Sequence, residues 1–261
     1  MLTLRLALKS LLNRRLTSCL TLMSVTLSVA LLIGVERVRL AARDSFHNTI
    51  SQTDLIVGGR GGTIQLLLYA VFGMGSATAA TIMDLLSAIQ PKAVLFLGKC
   101  GGVKHRAELG DLILPIAAVR GEGTSNDYFP PEVPALPSFA LQKAISTTIR
   151  DAARDYWTGT VYTTNRRVWE HDEKFKAYLR KIRVMAVDME TATIFMTGFF
   201  NEIPTGALLL VSDQPMVPEG IKTEESDRKV DQQFVADHLR IGIDALKQLL
   251  NKGLTVKHLK F

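Results

Sequence analysis

Cysteine is nearly missing from this chain. Cys19 and Cys100 are the only two among 261 residues, far apart and each set among apolar neighbours. That excludes a disulfide framework and any CxxC metal or redox motif. Histidine is also sparse: His47, His105, His171, His238 and His258 are scattered, and no HExxH-like spacing suggests a metal site. Basic residues do not interleave with aromatics, so no nucleic-acid footprint is present. No internal repeat appears, and the glycine cluster Gly58-Gly59-Arg60-Gly61-Gly62 lacks the GxxxxGK[ST] pattern of a phosphate-cradling loop. It reads as a flexible loop.

What the chain does contain is divided unevenly. Residues 1–72 carry eight Lys/Arg and three Asp/Glu, which leaves 23 bases and 22 acids for the rest. The basic balance therefore belongs to the N-terminal segment and describes no surface of the remainder. Leu16 to Val35 runs for 20 residues without a charge, long enough to span a bilayer core as a helix. Arg14 and Arg15 precede it, as a cytoplasmic N-terminus requires, but Arg37, Arg39 and Arg43 follow and blur the orientation. Six Ser and Thr residues dilute the run, and a buried helix or a signal peptide are its rival readings. Length and flanks favour a membrane helix over 16–35. A basic amphipathic helix is expected before it, over 3–15, and a polar helix after it, over 36–50.

From Phe72 onward strands and helices alternate. Strands are expected over 55–57, 93–98, 112–119, 159–164, 183–187 and 206–212, and helices over 76–90, 139–156, 173–181, 189–200 and 226–252. A loop over 121–137 holds four of the nine prolines. In the last helix Val230, Phe234, Ile241, Ala245 and Leu249 form an inward stripe, closed by Gly253. Such alternation predicts an α/β fold with a parallel or mixed sheet covered by helices, whose ligands bind beyond the strand ends.

Two strand ends carry acids. Val187-Asp188-Met189-Glu190 closes one apolar run and Val211-Ser212-Asp213 another. Burial raises a carboxyl pKa, which suits Asp213 to general-acid work near neutral pH; a turn cap before Pro215 is the plainer reading. Glu190 is expected at a helix N-terminus, where the dipole favours its charged form, ready to accept hydrogen bonds from a vicinal diol. It equally suits a first-turn acid with no ligand. Met189 beside it can pack under a flat apolar face, or simply fill core. Arg166 and Arg167 form a candidate phosphate clamp and Trp169 a stacking face, against the alternative of a solvated edge. The polar stretch Arg120-Gly121-Glu122-Gly123-Thr124-Ser125 can read a base edge or turn the chain.

Taken together, several stretches resemble the nucleoside phosphorylase/nucleosidase superfamily, its AMP nucleosidases above all. They are Gly73-Met74-Gly75-Ser76, Phe96-Leu97-Gly98-Lys99-Cys100-Gly101-Gly102, Gly110-Asp111-Leu112-Ile113-Leu114-Pro115, the Arg120–Ser125 loop, Thr163-Thr164-Asn165-Arg166-Arg167, and the two acidic strand ends. The resemblance implies a three-layer α/β sandwich for residues 73–261. It implies hydrolysis of AMP to adenine and ribose 5-phosphate, with Asp213 protonating the purine at N7 and Met189 and Glu190 holding the ribose. Gly75, Gly101, Gly102, Glu122, Arg166, Arg167 and Trp169 become substrate contacts. The resemblance calls for no metal or organic cofactor, and implies a homo-oligomer of cytoplasmic type.

Residues 1–72 are similar instead to the start of ABC-transporter permeases of the lipoprotein- or macrolide-export type, through Ser51–Gly58 and Leu66-Leu67-Leu68-Tyr69. On this reading the chain joins two pieces near residue 72. The enzyme-like piece lacks its family's usual first strands, along with the phosphate-binding arginines and water-activating carboxylate they carry. Leu55–Val57 is the candidate to fill one sheet position. Two further readings stay open: a purine nucleoside phosphorylase that uses phosphate as nucleophile, and a catalytically inactive chain attached to the membrane through 16–35.

Overall fold

The computed structural model describes residues 75–251 and two short strands before them, Val57–Gly58 and Gln65–Tyr69. The candidate membrane helix over 16–35, the helices expected over 3–15 and 36–50, the loop after Gly58 and the cap at Gly253 lie outside the described residues. None of the described helices is long and apolar enough to cross a membrane.

Seven strands make one sheet: β1 (Val57–Gly58), β2 (Gln65–Tyr69), β3 (Ala93–Gly102), β4 (Leu112–Gly121), β5 (Trp157–Thr164), β6 (Ala186–Asp188) and β7 (Thr205–Asp213). β3 pairs in parallel with β7, and β4 with β5 and β5 with β6 likewise. Short antiparallel contacts join β7 to β4 and β6 to β3. Those two contacts close β3, β7, β4, β5 and β6 into a ring.

β3 shows why. Val94, Leu95, Phe96 and Leu97 are all fully buried, as a central strand covered on both faces requires. Alternate side chains enter different cores. Val94 and Phe96 pack with α1 (Ser76–Ser87) and α4 (Thr191–Phe200), whereas Leu95 and Leu97 pack with α2 (Phe139–Asp151) and α6 (Ala236–Asn251). A third cluster gathers Trp169, Val187 and Leu179 of α3 (Glu173–Lys181).

Local chemistry sets the boundaries. Asp172 caps α3 by accepting the Phe175 N–H at 3.0 Å. Thr223 and Ser226 form a capping box at the start of α5 (Glu224–Val230). The expected helix over 139–156 stops at Asp151, because Ala153 turns to φ 54°. The single long C-terminal helix expected over 226–252 is instead α5, a π-helical turn over Asp231–Val235, and α6. Its stripe still faces inward: Val230, Ile241, Ala245 and Leu249 are buried, and Phe234 packs against them.

The largest difference from expectation is at the sheet's edge. β2 pairs in parallel with β3 along its whole length, from Gln65–Ala93 to Tyr69–Leu97. β1 then pairs antiparallel with β2, Val57 opposite Leu67. The edge of β3 is thus covered by a strand drawn from the segment before residue 72. Leu66-Leu67-Leu68 is an uninterrupted apolar run, which suits a buried strand as well as a membrane-bordering segment.

His238 of α6 is buried against the Leu208 carbonyl, 2.9 Å from Nε2. Burial pushes its pKa down to about 4, so the folded chain holds it neutral. An unfolded His protonates near pH 6.5. Its contribution is therefore complete above that value and is lost as pH falls towards 4. Between pH 7 and 4.5 the native chain should lose about 2–3 kcal/mol more than a His238→Gln variant, measured by urea unfolding.

Candidate active site

Four strand ends converge on one cavity of about 150 Å³. β3 contributes Gly98 to Gly101, β5 Thr164, β6 Val187 and Asp188, and β7 Ser212 and Asp213. The segment between β5 and α3 adds Arg166, Arg167, Trp169 and Glu170, and Lys222 closes the wall from beyond β7.

Asp188 organises one side. Its carboxylate accepts from Thr163 Oγ1 at 2.7 Å, Thr191 N at 2.7 Å, Thr191 Oγ1 at 2.5 Å and Glu190 N at 3.3 Å. One side chain so joins β5, β6 and the start of α4. Glu190 sits next to it, buried, with Oε1 accepting the Gly75 N–H at 2.7 Å and Oε2 the Met189 N–H at 3.3 Å. Burial and then the Asp188 charge raise its pKa to about 7. Burial raises Asp188 too, but it accepts four hydrogen bonds where Glu190 accepts two, so Glu190 is the more readily protonated of the two. The helix N-terminus alone therefore does not keep Glu190 fully charged at neutral pH. Asp188 occupies the capping role there, and its charge opposes a second one beside it.

Asp213 ends β7. Its pKa is raised, first by burial; the Ser212 hydroxyl, donating to Oδ1 at 2.7 Å, and Lys222 oppose the rise. A register shift between Cys100 and Gly101 sets Gly101 directly opposite Asp213. A Cβ on Gly101 would stand 2.8 Å from Pro215 Cγ and 3.1 Å from Asp213 Oδ2, so only glycine lets the two strands approach here. Cys100 lies beneath, its thiol pushed well up by burial and by Asp188 and Asp213, and therefore unreactive.

Of the residues singled out in the sequence, Gly101, Arg166, Arg167, Trp169, Met189, Glu190 and Asp213 line the cavity. Gly75 lies behind it and holds Glu190 through its N–H. Gly102 does not line it; a Cβ there would face Ala107 and Val211, inside the fold. Glu122 does not line it either. It is buried, accepting from Ser125 N at 3.0 Å and Thr193 Oγ1 at 2.9 Å, and ties the loop after β4 to α4. Arg120 is likewise structural: its guanidinium donates to Ser125, Asn126, Phe129, Pro130 and Val133 and so folds the proline-rich loop. The arginine pair is split. Arg166 engages Asp172 at 2.9 Å and covers the Phe175 ring, while Arg167 acts on Glu190. Trp169 is buried edge-to-face against Phe175. The strand end Gly98–Gly102, which the resemblance set at the pocket, lines the cavity through Gly98 to Gly101, Lys99 among them. Glu170 and Lys222 were not singled out in the sequence; each stands close to other charges along the chain, and only the fold brings it to the cavity.

A profile of the phosphorylase superfamily matches residues 32–252. The chain belongs to that superfamily. The match begins inside the segment set apart by composition. An AMP nucleosidase of Escherichia coli (strain K12) is 34% identical over 191 residues, which is 69% of this chain and 39% of that protein. The chain thus spans about two fifths of that relative's length. The crystal structure of an AMP nucleosidase from Bacteroides thetaiotaomicron VPI-5482 is 59% identical, with a TM-score of 0.61 over 70% of this chain and 71% of that one. A uridine phosphorylase from Vibrio fischeri ES114 shares the fold at 21% identity, with a TM-score of 0.62 over 78% of this chain and 88% of its own.

The close approach at Gly101 is testable. Gly101→Ala should cost about 1–3 kcal/mol in thermal unfolding. Gly102→Ala, whose Cβ would meet nothing nearer than 3.3 Å, should cost less.

Proposed function

We propose that the chain cleaves the N-glycosidic bond of AMP with water, giving adenine and ribose 5-phosphate. The observation that carries this reading is Asp213: an acid at the end of a buried strand, raised in pKa, in one cavity with Glu190 and Met189. The identity to two AMP nucleosidases supports AMP over unphosphorylated nucleosides.

The chemistry follows from the charges. The Asp213 carboxyl donates its proton to N7 of the purine. The C1′–N9 bond then breaks with its electron pair passing to a neutral adenine instead of an anion. Positive charge develops on the ribose, and water adds at C1′ and loses a proton. Glu190 accepts hydrogen bonds from ribose hydroxyls, and Met189 lies against the sugar. Arg167, beside Glu190, favours the ionised form of that carboxyl once the hydroxyls arrive. No step calls for a metal or organic cofactor. The division of the chain near residue 72 and its assembly into oligomers belong to the same proposal.

Adenine release from AMP, followed by chromatography, tests it. Asp213→Asn should lower the rate by about 10²–10⁴-fold while AMP still binds. Equal rates in the two proteins would sink the role given to Asp213. Release that requires added phosphate and yields ribose 1,5-bisphosphate would make the chain a phosphorylase.

A further inference from the structure

Beyond β7 the chain carries a set of charges that this chemistry does not use. Lys222 lines the cavity just before α5, with its side chain about a third exposed. Its ammonium lies 2.9 Å from Asp227 Oδ1, on α5. The same oxygen receives Lys99 of β3, also at 2.9 Å, and Lys99 meets Asp231 at 2.5 Å. Lys99 is almost wholly buried, and Asp231 opens the π-helical turn. Two cations and two anions therefore run from the middle of the sheet to the wall of the cavity.

Stability alone is a poor reason for such a cluster, because the desolvation of buried ions offsets most of their attraction. A π-helical turn within a helix also marks functional sites more often than chance. What the cluster does is fix an ammonium. Lys222 lines the same cavity as Asp213, favours its charged form, and is itself in contact with Asp227. Asp227 cannot follow Lys222 freely, since Lys99 anchors it to β3, the strand that also sets Gly101 against Asp213.

We propose that Asp227, anchored by Lys99, is a positioning residue that sets how closely the Lys222 ammonium attends Asp213. The proposal rests on the reading of Asp213 as the proton donor. A nearer ammonium favours the carboxylate and weakens the acid's hold on its proton; a more distant one strengthens it. Glu170 and then Asp227 push in the opposite sense; Arg166, Arg167 and Glu190 share the cavity with Asp213, as do Lys99 and Cys100 of β3 and Asp188 of β6. Too tight a hold stops donation to N7, and too loose a hold leaves no proton to donate at neutral pH.

The ¹³C carboxyl signal of Asp213 in selectively labelled, ligand-free protein, assigned by its loss in Asp213→Asn, reads this without catalysis. Lys222→Met should raise the Asp213 midpoint and Asp227→Asn should lower it, each by about half a pH unit or more. The Asp227→Asn shift should fall to less than half in the Lys222→Met background, because Asp227 acts through Lys222. The alkaline limb of kcat/KM for AMP should move with each midpoint. An unmoved midpoint in Lys222→Met, or the same Asp227→Asn shift in both backgrounds, would overturn the proposal. Lys222 is partly exposed, so its variant still decides the matter if Asp227→Asn does not fold. A chain that releases no adenine yet shows these shifts would contradict the proposed reaction and leave the positioning intact.

Discussion

The parallel pairing of β3 with β7 is the constraint from which the rest of the described structure follows. It runs from Val94–Thr205 to Cys100–Val211, and every β7 residue from Thr205 to Ser212 is buried. Two strands covered on both faces can present polar groups only where they end. Asp213 stands at such an end, and Asp188 and Glu190 at the neighbouring end of β6 and the start of α4, so their desolvation follows from the fold. Burial is the leading cause of the raised pKa at Asp213, at Glu190 and at Asp188 alike. The register shift at Cys100/Gly101 then decides which atoms meet.

Such a site works against the stability of the fold that carries it. An unfolded Glu ionises near pH 4.3, whereas folded Glu190 holds its proton to about 7, so this residue stabilises the chain at low pH and the contribution fades as pH rises through that window. Asp188 limits the damage by spreading one carboxylate over four donors. Lys99 and Lys222 are balanced by Asp227 and Asp231. Lys99 and Lys222 line the same cavity as Asp188, Glu190 and Asp213, and so join that cavity to the ion pairs with Asp227 and Asp231.

Much of this was legible in the sequence, for definite reasons. Continuous apolar runs such as Ala93–Leu97 and Ala207–Val211, short and bounded by glycine or polar residues, point to a strand covered on both faces. An acid directly after such a run must lie at a strand end, which locates Asp188 and Asp213 without coordinates. β2 was missed because Leu66-Leu67-Leu68 reads equally well as a strand or as part of an apolar N-terminal segment, and only pairing with β3 separates the two. Glu122, which the resemblance made a substrate contact, instead helps turn the chain, because Thr193 and the Ser125 N–H draw it inward, and those partners are not visible in the sequence around it. The balance at Glu190 was hidden because helix position argues for charge, and the stronger opposing influences, burial and Asp188, are tertiary.

The central claim is that a buried Glu190, protonated about half the time at neutral pH, becomes the charged acceptor for ribose hydroxyls. Calorimetry of AMP binding at pH 7, in buffers of different ionisation enthalpy and in an Asp213→Asn background that blocks turnover, measures the protons exchanged. The account predicts release of about half a proton per AMP bound, absent when Glu190→Gln is added. The same proton count with and without Glu190→Gln would contradict it.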